Sequence, residues 1–416
     1  MSKSRKNKEP KMPGRRFRLF TRILAIIYLL SLVVFEIALI VLNFLPSKIL
    51  IAIFLILGAI SIIIFALLYF KKVKKVPKII ATVLSIMMIF VFGVGTSYAM
   101  GTVGFLDKIT AKGSDYAVSV TEKPFNIYIS GMDYRGDIDA TKGRSDVNMI
   151  VTVNPKTHRI LLTSFPRDYE IRLVNHGYAT DKLTHTGLYG VKTGESSLTD
   201  LTGIKINYYV KVNFTTIQEF IDAIGGVTVN SDVEFTAEVW GTGGDDSIVG
   251  KHHFVKGKNK LDGQTALAFA RERYAFEGGD NQRIKNQQAV FQAILEKVTS
   301  STTILTRYNK ILNAVGDYMR TDMTEDEITS IVKKQINDGM PEWHIEKYDV
   351  TGFDSYQTTY SGGSTELYVM SPDEDSVQTA AANIKTVMRD GYSSKNKSPI
   401  EGTITVKKHY KEKSNN

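Results

Sequence analysis

Arginines and aspartates gather at a few short motifs in this chain, and those motifs fall where apolar runs begin or end. Asp133 follows the run FNIYIS (125–130) in SGMDYRG. Arg144 and Asp146 open the run VNMIVTV (147–153) in GRSDVN. Arg167 and Asp168 close RILLTSF (159–165) in SFPRD, where Pro166 stops the strand. Arg271 and Arg273 end a helical pattern in ALAFARERY, and Arg283 with Gln287 opens the next one. Arg283 and Gln287 are four apart, so they share a helix face near an N-terminus that itself favours anions. Five guanidiniums and an amide suit a polyanion, since each Arg fork matches phosphate oxygens in bidentate fashion. Asp133 and Asp146, at adjacent strand ends, offer the hard oxygens that Mg²⁺ takes together with phosphate and water. Arginines, paired carboxylates and Mg²⁺ are the components of phosphoryl transfer by positioning and charge neutralisation.

The elements that must position these residues read as α/β. Further apolar runs lie at INYYVKV (206–212), GVTVNSDV (226–233) and ELYVMS (366–371). Helical patterns alternate with them at 215–226, 261–273, 280–298, 302–315, 324–336 and 373–388. In TTIQEFIDAIGG, Ile217, Phe220, Ile221 and Ile224 share one face, and a Gly pair stops the helix. Helices interleaved with strands predict an α/β/α sandwich around a mixed central sheet.

Before that domain lie three apolar stretches, Leu19–Leu45, Ile49–Phe70 and Ile79–Met100. Each nears or exceeds the ~20 residues that cross the hydrocarbon as a helix. Residues 1–78 hold 15 Lys/Arg against 2 acids, whereas the rest of the 416 residues hold 37 against 41. The net charge of +9 therefore belongs to the N-terminal region and does not make a basic surface that wraps nucleic acid. Basic residues flank the first stretch and fill KKVKKVPK (71–78), while NFLPSK between the first two carries Lys48 alone. The expected topology has the N-terminus and the 71–78 loop in the cytoplasm, touching anionic lipid, and everything after about residue 100 outside. The expected organisation is a basic tail (1–18), three transmembrane helices (19–100), a linker (101–123), an extracytoplasmic domain (124–390) and a polar, disordered tail (391–416).

Other chemistries find little support. The chain has no cysteine, which excludes disulfides and thiolate sites. It has no G-x-S-x-G elbow and no H-E-x-x-H. Gly250-Lys251 lacks the first glycine of a P-loop, and Lys192-Thr193-Gly194 lacks a correctly ordered S-x-x-K partner.

With NIYISGMD (126–133), RSDVNMI (144–150), SFPRD (164–168), LDGQTALAFARER (261–273) and DNQRIKNQQ (280–288) in that order, the chain resembles the LytR-CpsA-Psr family of Gram-positive cell-envelope proteins. The resemblance implies a phosphotransferase that moves a glycopolymer (capsule, teichoic acid or similar) from a polyprenyl-pyrophosphate carrier to peptidoglycan. By position it implies that Arg144, Arg167, Arg271, Arg273, Arg283 and Gln287 hold the pyrophosphate and that Asp133 and Asp146 hold Mg²⁺. Asp168 and Asp280 match acidic positions with a base or orienting role, and the lipid tail would lie in an apolar tunnel that the 215–226 helix could help to wall. Three other readings stay open on the residues: a pyrophosphatase using water, a non-catalytic carrier of lipid-linked glycan, and a membrane-bound transcriptional attenuator. The last would need nucleic-acid contact from a short cytoplasmic tail and loop that hold no helix-turn-helix.

Overall fold

The computed structural model describes residues 13–110, 120–132, 138, 143–241, 247–276, 279–299, 310–311, 314, 316, 318–339, 341, 343–389 and 404–405. The chain divides into two compact units, Met1–Gly104 with Val332–Gly339 and Phe105–Ile331 with Met340–Asn416.

The first unit is built on three helices long and apolar enough to cross a membrane: α1 (Arg15–Leu42), α2 (Ser47–Tyr69) and α3 (Lys75–Ile109). Asn43 stops α1 in the left-handed region at φ 53°, which a short polar side chain tolerates. Small polar groups knit the helices together. The Tyr28 hydroxyl lies 2.7 Å from Ser61 Oγ, and Thr21 Oγ1 donates to the Leu68 carbonyl at 3.0 Å. Their outward faces carry Ile26, Ile37, Leu55, Ile62 and Phe90, all exposed. The first stretch starts earlier than its apolar run because Arg15, Arg16 and Arg18 are good helix formers. The third continues to Ile109, so the expected linker begins as helix, and residues 111–119 lie outside the described residues.

The second unit holds a seven-stranded mixed sheet in the order β11-β6-β1-β2-β3-β12-β15. Its first strands are β1 (Phe125–Met132), β2 (Ser145–Asn154) and β3 (Arg159–Phe165), with β2 antiparallel to both β1 and β3. The hairpin β4 (Glu170–Leu173) and β5 (Ala179–Lys182) follows, then a 3-10 helix (Leu183–Leu188) and α4 (Val191–Thr202). β6 (Tyr208–Asn213) returns parallel to β1 and feeds α5 (Phe214–Ile224), which is capped by a reciprocal Asn213–Thr216 box. A satellite layer contains β7 (Val227–Ser231), β8 (Phe235–Trp240), β9 (Ile248–Phe254) and β10 (Gly257–Leu261), with α6 (Gly263–Arg271) and α7 (Gly279–Thr299) after it. β11 (Met319–Thr321) edges the sheet beside β6, and Ile328 and Ile331 of α8 (Glu325–Asn337) pack on Phe125 and Tyr208. β12 (His344–Asp349) lies parallel to β3, the hairpin β13 (Gly352–Thr358) and β14 (Glu366–Pro372) follows, and α9 (Glu374–Met388) closes the domain.

Side-chain alternation explains the layers. Tyr128, Ile150 and Leu161 point to the face where Leu198 of α4 and Ile384 of α9 pack. Their neighbours Ile127, Met149, Val151 and Leu162 point to the other face, against Phe291 of α7. A sheet covered on both sides reads as continuous apolar runs, which is why these three strands stood out in the sequence. The expected α/β/α sandwich is therefore present. One expectation shifts. In the tail, Ile404–Thr405 forms β15, pairing with Lys347 and Glu346 of β12 where disorder was expected. The helix expected over 302–315 falls largely outside the described residues.

Candidate anion site at the sheet end

The site begins with an irregularity in the β1–β2 ladder. Gly131 pairs with Val147 and Met132 with Ser145, so Asp146 is the extra residue of a bulge. A bulge re-aims a side chain locally. Gly131 permits it, because a Cβ there would come within 2.7 Å of the Val147 Cβ. Opposite Asp146, β3 ends at Phe165 and Pro166 turns the chain, placing Arg167 across from the bulge.

Four charged side chains then alternate in one line. Arg167 Nη1 donates to Asp146 Oδ2 at 2.9 Å, and its Nε donates to Asp168 Oδ2 at 3.2 Å. Lys182 Nζ, at the end of β5, donates to Asp168 Oδ1 at 2.9 Å. Thr184 Oγ1 donates to the other oxygen of Asp146 at 2.9 Å. Asp146 and Asp168 are buried, at 9% and 7% exposure, so their charges depend on these partners. Burial pushes the Asp168 carboxyl up, but Arg167, Lys182 and Arg283 outweigh it and hold the group below its ordinary range.

The interaction of Arg283 with Asp168 places the α7 guanidinium beside this line, and Arg283 is itself 5% exposed. Helix α7 is anchored by Asn286, whose amide donates to the Phe269 carbonyl, and by Gln288, which donates to Ser164 Oγ and Asp349. Gln287 is half-buried one turn after Arg283. From the loop after α6, Arg273 donates to the Tyr274 hydroxyl at 2.5 Å. That hydrogen bond, the Arg273 charge and the more distant Arg167 charge together lower the phenol's pKa. Arg167, Arg273 and Tyr274 thus share one neighbourhood.

Arg271 ends α6 with its guanidinium carbon 4.7 Å from the Phe214 ring centre and 5.1 Å from that of Trp240. Two aromatic rings fix the fork in place through cation–π contact. Phe214 follows Asn213, the β6 partner of Met132, so Arg271 stands at the same end of the sheet. Arg144 is exposed on the approach to β2, where the 3-10 helix closes in. Gly187 makes that approach possible, since a Cβ there would sit 2.2 Å from the Gly143 carbonyl oxygen.

Asp146, Arg167 and Asp168 thus meet directly, Arg283 acts on Asp168, Arg273 and Arg167 both act on Tyr274, and Arg271 and Arg144 stand at the same end of the sheet. Asp133 lies outside the described residues, as does the side chain of Asp280, whose backbone is in the first turn of α7. The apolar face of α5 packs as core, with Ile221 and Ile224 against Val227 and Phe269. Sequence reasoning missed Lys182, Thr184 and Asp349. Asp349 is a carboxyl that burial pushes up against the opposing charges of Lys347 and Lys285. Lys182 and Thr184 sit in TDKLTH, a polar stretch without periodicity, and pairing with Asp168 and Asp146 is what distinguishes them.

A model of the LytR_cpsA_psr family matches residues 102–383. A polyisoprenyl-teichoic acid–peptidoglycan teichoic acid transferase TagU from Bacillus cereus is 33% identical over 228 residues, covering 55% of this chain and 69% of the relative. A TagU from Enterococcus faecalis is 30% identical over 266 residues, 63% of this chain and 83% of the relative. Among solved structures, B. subtilis TagV matches with a TM-score of 0.52 at 25% identity, over 64% of this chain and 98% of that one.

Proposed function

The chain belongs to the LytR_cpsA_psr family, and from that premise we propose a membrane-anchored phosphotransferase that moves a glycopolymer from a polyprenyl-pyrophosphate carrier to peptidoglycan. The observation that carries the reading is the buried line Asp146–Arg167–Asp168–Lys182 with Arg283 beside it. Such a line is a preorganised array of cations whose positions are set by carboxylates, and an incoming diphosphate would compete for the same forks. In this reading Arg167, Arg283 and Arg273 grip the diphosphate, Arg271 is held ready by its aromatic clamp, and Arg144 and Gln287 complete the rim. Asp168 orients Arg167 and Lys182.

The donor set also suits Mg²⁺. Asp146 supplies a buried carboxylate beside the Thr184 hydroxyl, and Asp133 follows the strand whose last residue pairs with Ser145. Mg²⁺ takes one or two carboxylates and completes its shell with phosphate and water. When bound there, Mg²⁺ would neutralise charge developing on the phosphate oxygens. The arginines hold the phosphorus in line for the acceptor hydroxyl, whose attack forms a phosphodiester as polyprenyl phosphate leaves. The Lys/Arg-rich flanks of α1 and the 71–78 loop favour a cytoplasmic N-terminus, which puts the catalytic domain outside, beside its acceptor.

The test is the full chain in detergent with a synthetic polyprenyl-pyrophosphate-linked sugar, a peptidoglycan oligomer and Mg²⁺, read by product mass. A phosphodiester-linked product that disappears in Asp146→Ala is expected. Sugar phosphate alone, with verified acceptor, would assign hydrolysis instead, and wild-type transfer by Asp146→Ala would refute the site.

A further inference from the structure

Next to the anion site the hairpin β13–β14 presents an aromatic face that the proposed reaction leaves unused. Tyr356 and Tyr368 are direct cross-strand partners, so both rings stand on one face of the hairpin. Their centroids lie 5.8 Å apart at an interplanar angle of 74°, an angled pair, and Tyr356 is 69% exposed. Two residues before Tyr356 on the same face is Asp354, which accepts a hydrogen bond of 2.7 Å from the Tyr368 hydroxyl.

This face continues directly from the charged line. The Met370 amide donates to the Asp168 carbonyl at 2.8 Å, and Tyr368 lies two residues back on β14, about 7 Å along the strand. Lys182 Nζ, bound to Asp168, also lies 5.9 Å from the Tyr368 ring centre. The hairpin is pinned at its far end too. Tyr360 N donates to the Thr180 carbonyl at 2.9 Å, Ser361 N donates to Asp181 Oδ2 at 3.0 Å, and Asp181 is fully buried and lies 2.6 Å from His185 Nδ1. The two tyrosines are therefore held at a fixed distance from the phosphate forks.

We propose that Tyr356, Tyr368 and Asp354 form a saccharide subsite that seats the N-acetylated glycan strand of the peptidoglycan acceptor, one sugar or more from the reacting hydroxyl. The proposal rests on the transferase reading. An exposed aromatic face buries the apolar C–H side of a pyranose, while a carboxylate accepts from its hydroxyl or acetamido N–H groups. Charge selects the acceptor over the donor polymer. Glu366, opposite Thr358, stands on the same face as Asp354. Two carboxylates beside the rings repel a phosphate-bearing polymer and leave an uncharged sugar backbone favoured.

Chitotetraose, an uncharged N-acetylglucosamine oligomer, is the probe, titrated by calorimetry into the detergent-solubilised full chain. Wild type binds it, Tyr356→Ala weakens binding about tenfold, and Tyr356→Phe stays within about twofold because the ring is kept. The melting temperature of Tyr356→Ala remains that of wild type, since the ring is mostly in solvent. Transfer assays should show a raised acceptor KM in Tyr356→Ala with the donor KM unchanged. Equal affinity in wild type and Tyr356→Ala, no binding of the probe to wild type, or tighter binding of a teichoic acid oligomer through the same residues would each overturn the subsite. Release of polyprenyl phosphate from the donor reports on the transferase reading separately. Its failure with glycan binding intact would count against that reading and leave the saccharide subsite in place.

Discussion

Replacing Arg167 by alanine removes a cation that touches both buried carboxylates. The wild-type side chain makes charge-assisted bonds of 2.9 Å to Asp146 and 3.2 Å to Asp168 and is itself only 16% exposed. Breaking a buried ion pair from one side costs about 3–5 kcal/mol when the remaining charge is left alone. Here neither is alone, because Thr184 still donates to Asp146 and Lys182 to Asp168. The expected loss is therefore smaller, about 2–3 kcal/mol, or roughly 4–12 °C in Tm for a domain of this size. Transfer should fall further, by about 10²–10³, because a donor to the charged phosphate is lost as well. Arg167→Lys keeps the charge without the planar fork, cannot serve both carboxylates at once, and should recover most of the stability and little of the rate. The pH dependence gives an independent check. Asp168 is held below its unfolded pKa of about 3.9, so its contribution is fully present above that value and is lost as pH falls through the lower folded value. Arg167→Ala moves the folded value upward, which narrows this window and flattens the acid limb of a stability–pH curve. Differential scanning calorimetry across pH 2–7, paired with turnover, reads both effects. A variant with wild-type Tm and turnover, or full rate in Arg167→Lys, would refute the bridging role.

Gly131→Ala should destabilise by about 1–3 kcal/mol and lower transfer, because its Cβ meets Val147 at 2.7 Å and must push the bulge that carries Asp146; chemical denaturation and turnover measure this, and an unchanged midpoint would show that the ladder can relax. The Tyr274 phenol should ionise below its usual value near 10 in ultraviolet difference titration of a variant series, and Arg273→Ala should raise it again, since Arg273 is the main cause of the shift; no change in that variant would remove Arg273 from the cluster.

Much of the fold was legible because its central strands are buried on both faces. FNIYIS, VNMIVTV and RILLTSF each met strong apolar demands from two layers, and their observed bounds differ from the expected ones by only a few residues. Strands β4, β5, β8, β9 and β13 left no such trace. Each pairs in a two-stranded hairpin, and in β8, β9 and β13 polar and apolar residues serve solvent as well as packing. β12, HIEKYD, belongs to the central sheet but buries the charged pair Arg159–Glu346, so its polarity hid it. The arginine and aspartate motifs were legible for a different reason: charged residues abutting apolar runs mark strand ends, where side chains can converge.

Composition and spacing by themselves determined that three helices precede an α/β domain and that arginines and aspartates abut the strands of its central sheet. These features depend on local periodicity and on residue chemistry, both of which a linear string records. Which charges meet was decided only by the tertiary structure. Asp146 and Arg167 are 21 residues apart and Asp168 and Lys182 are 14 apart, and their contact depends on a one-residue bulge, a proline stop and the closing of a 3-10 helix over Gly187. Arg144 carries the same charge as Arg167 yet stands exposed, because strand register and close packing, rather than residue type, set the direction in which a side chain points.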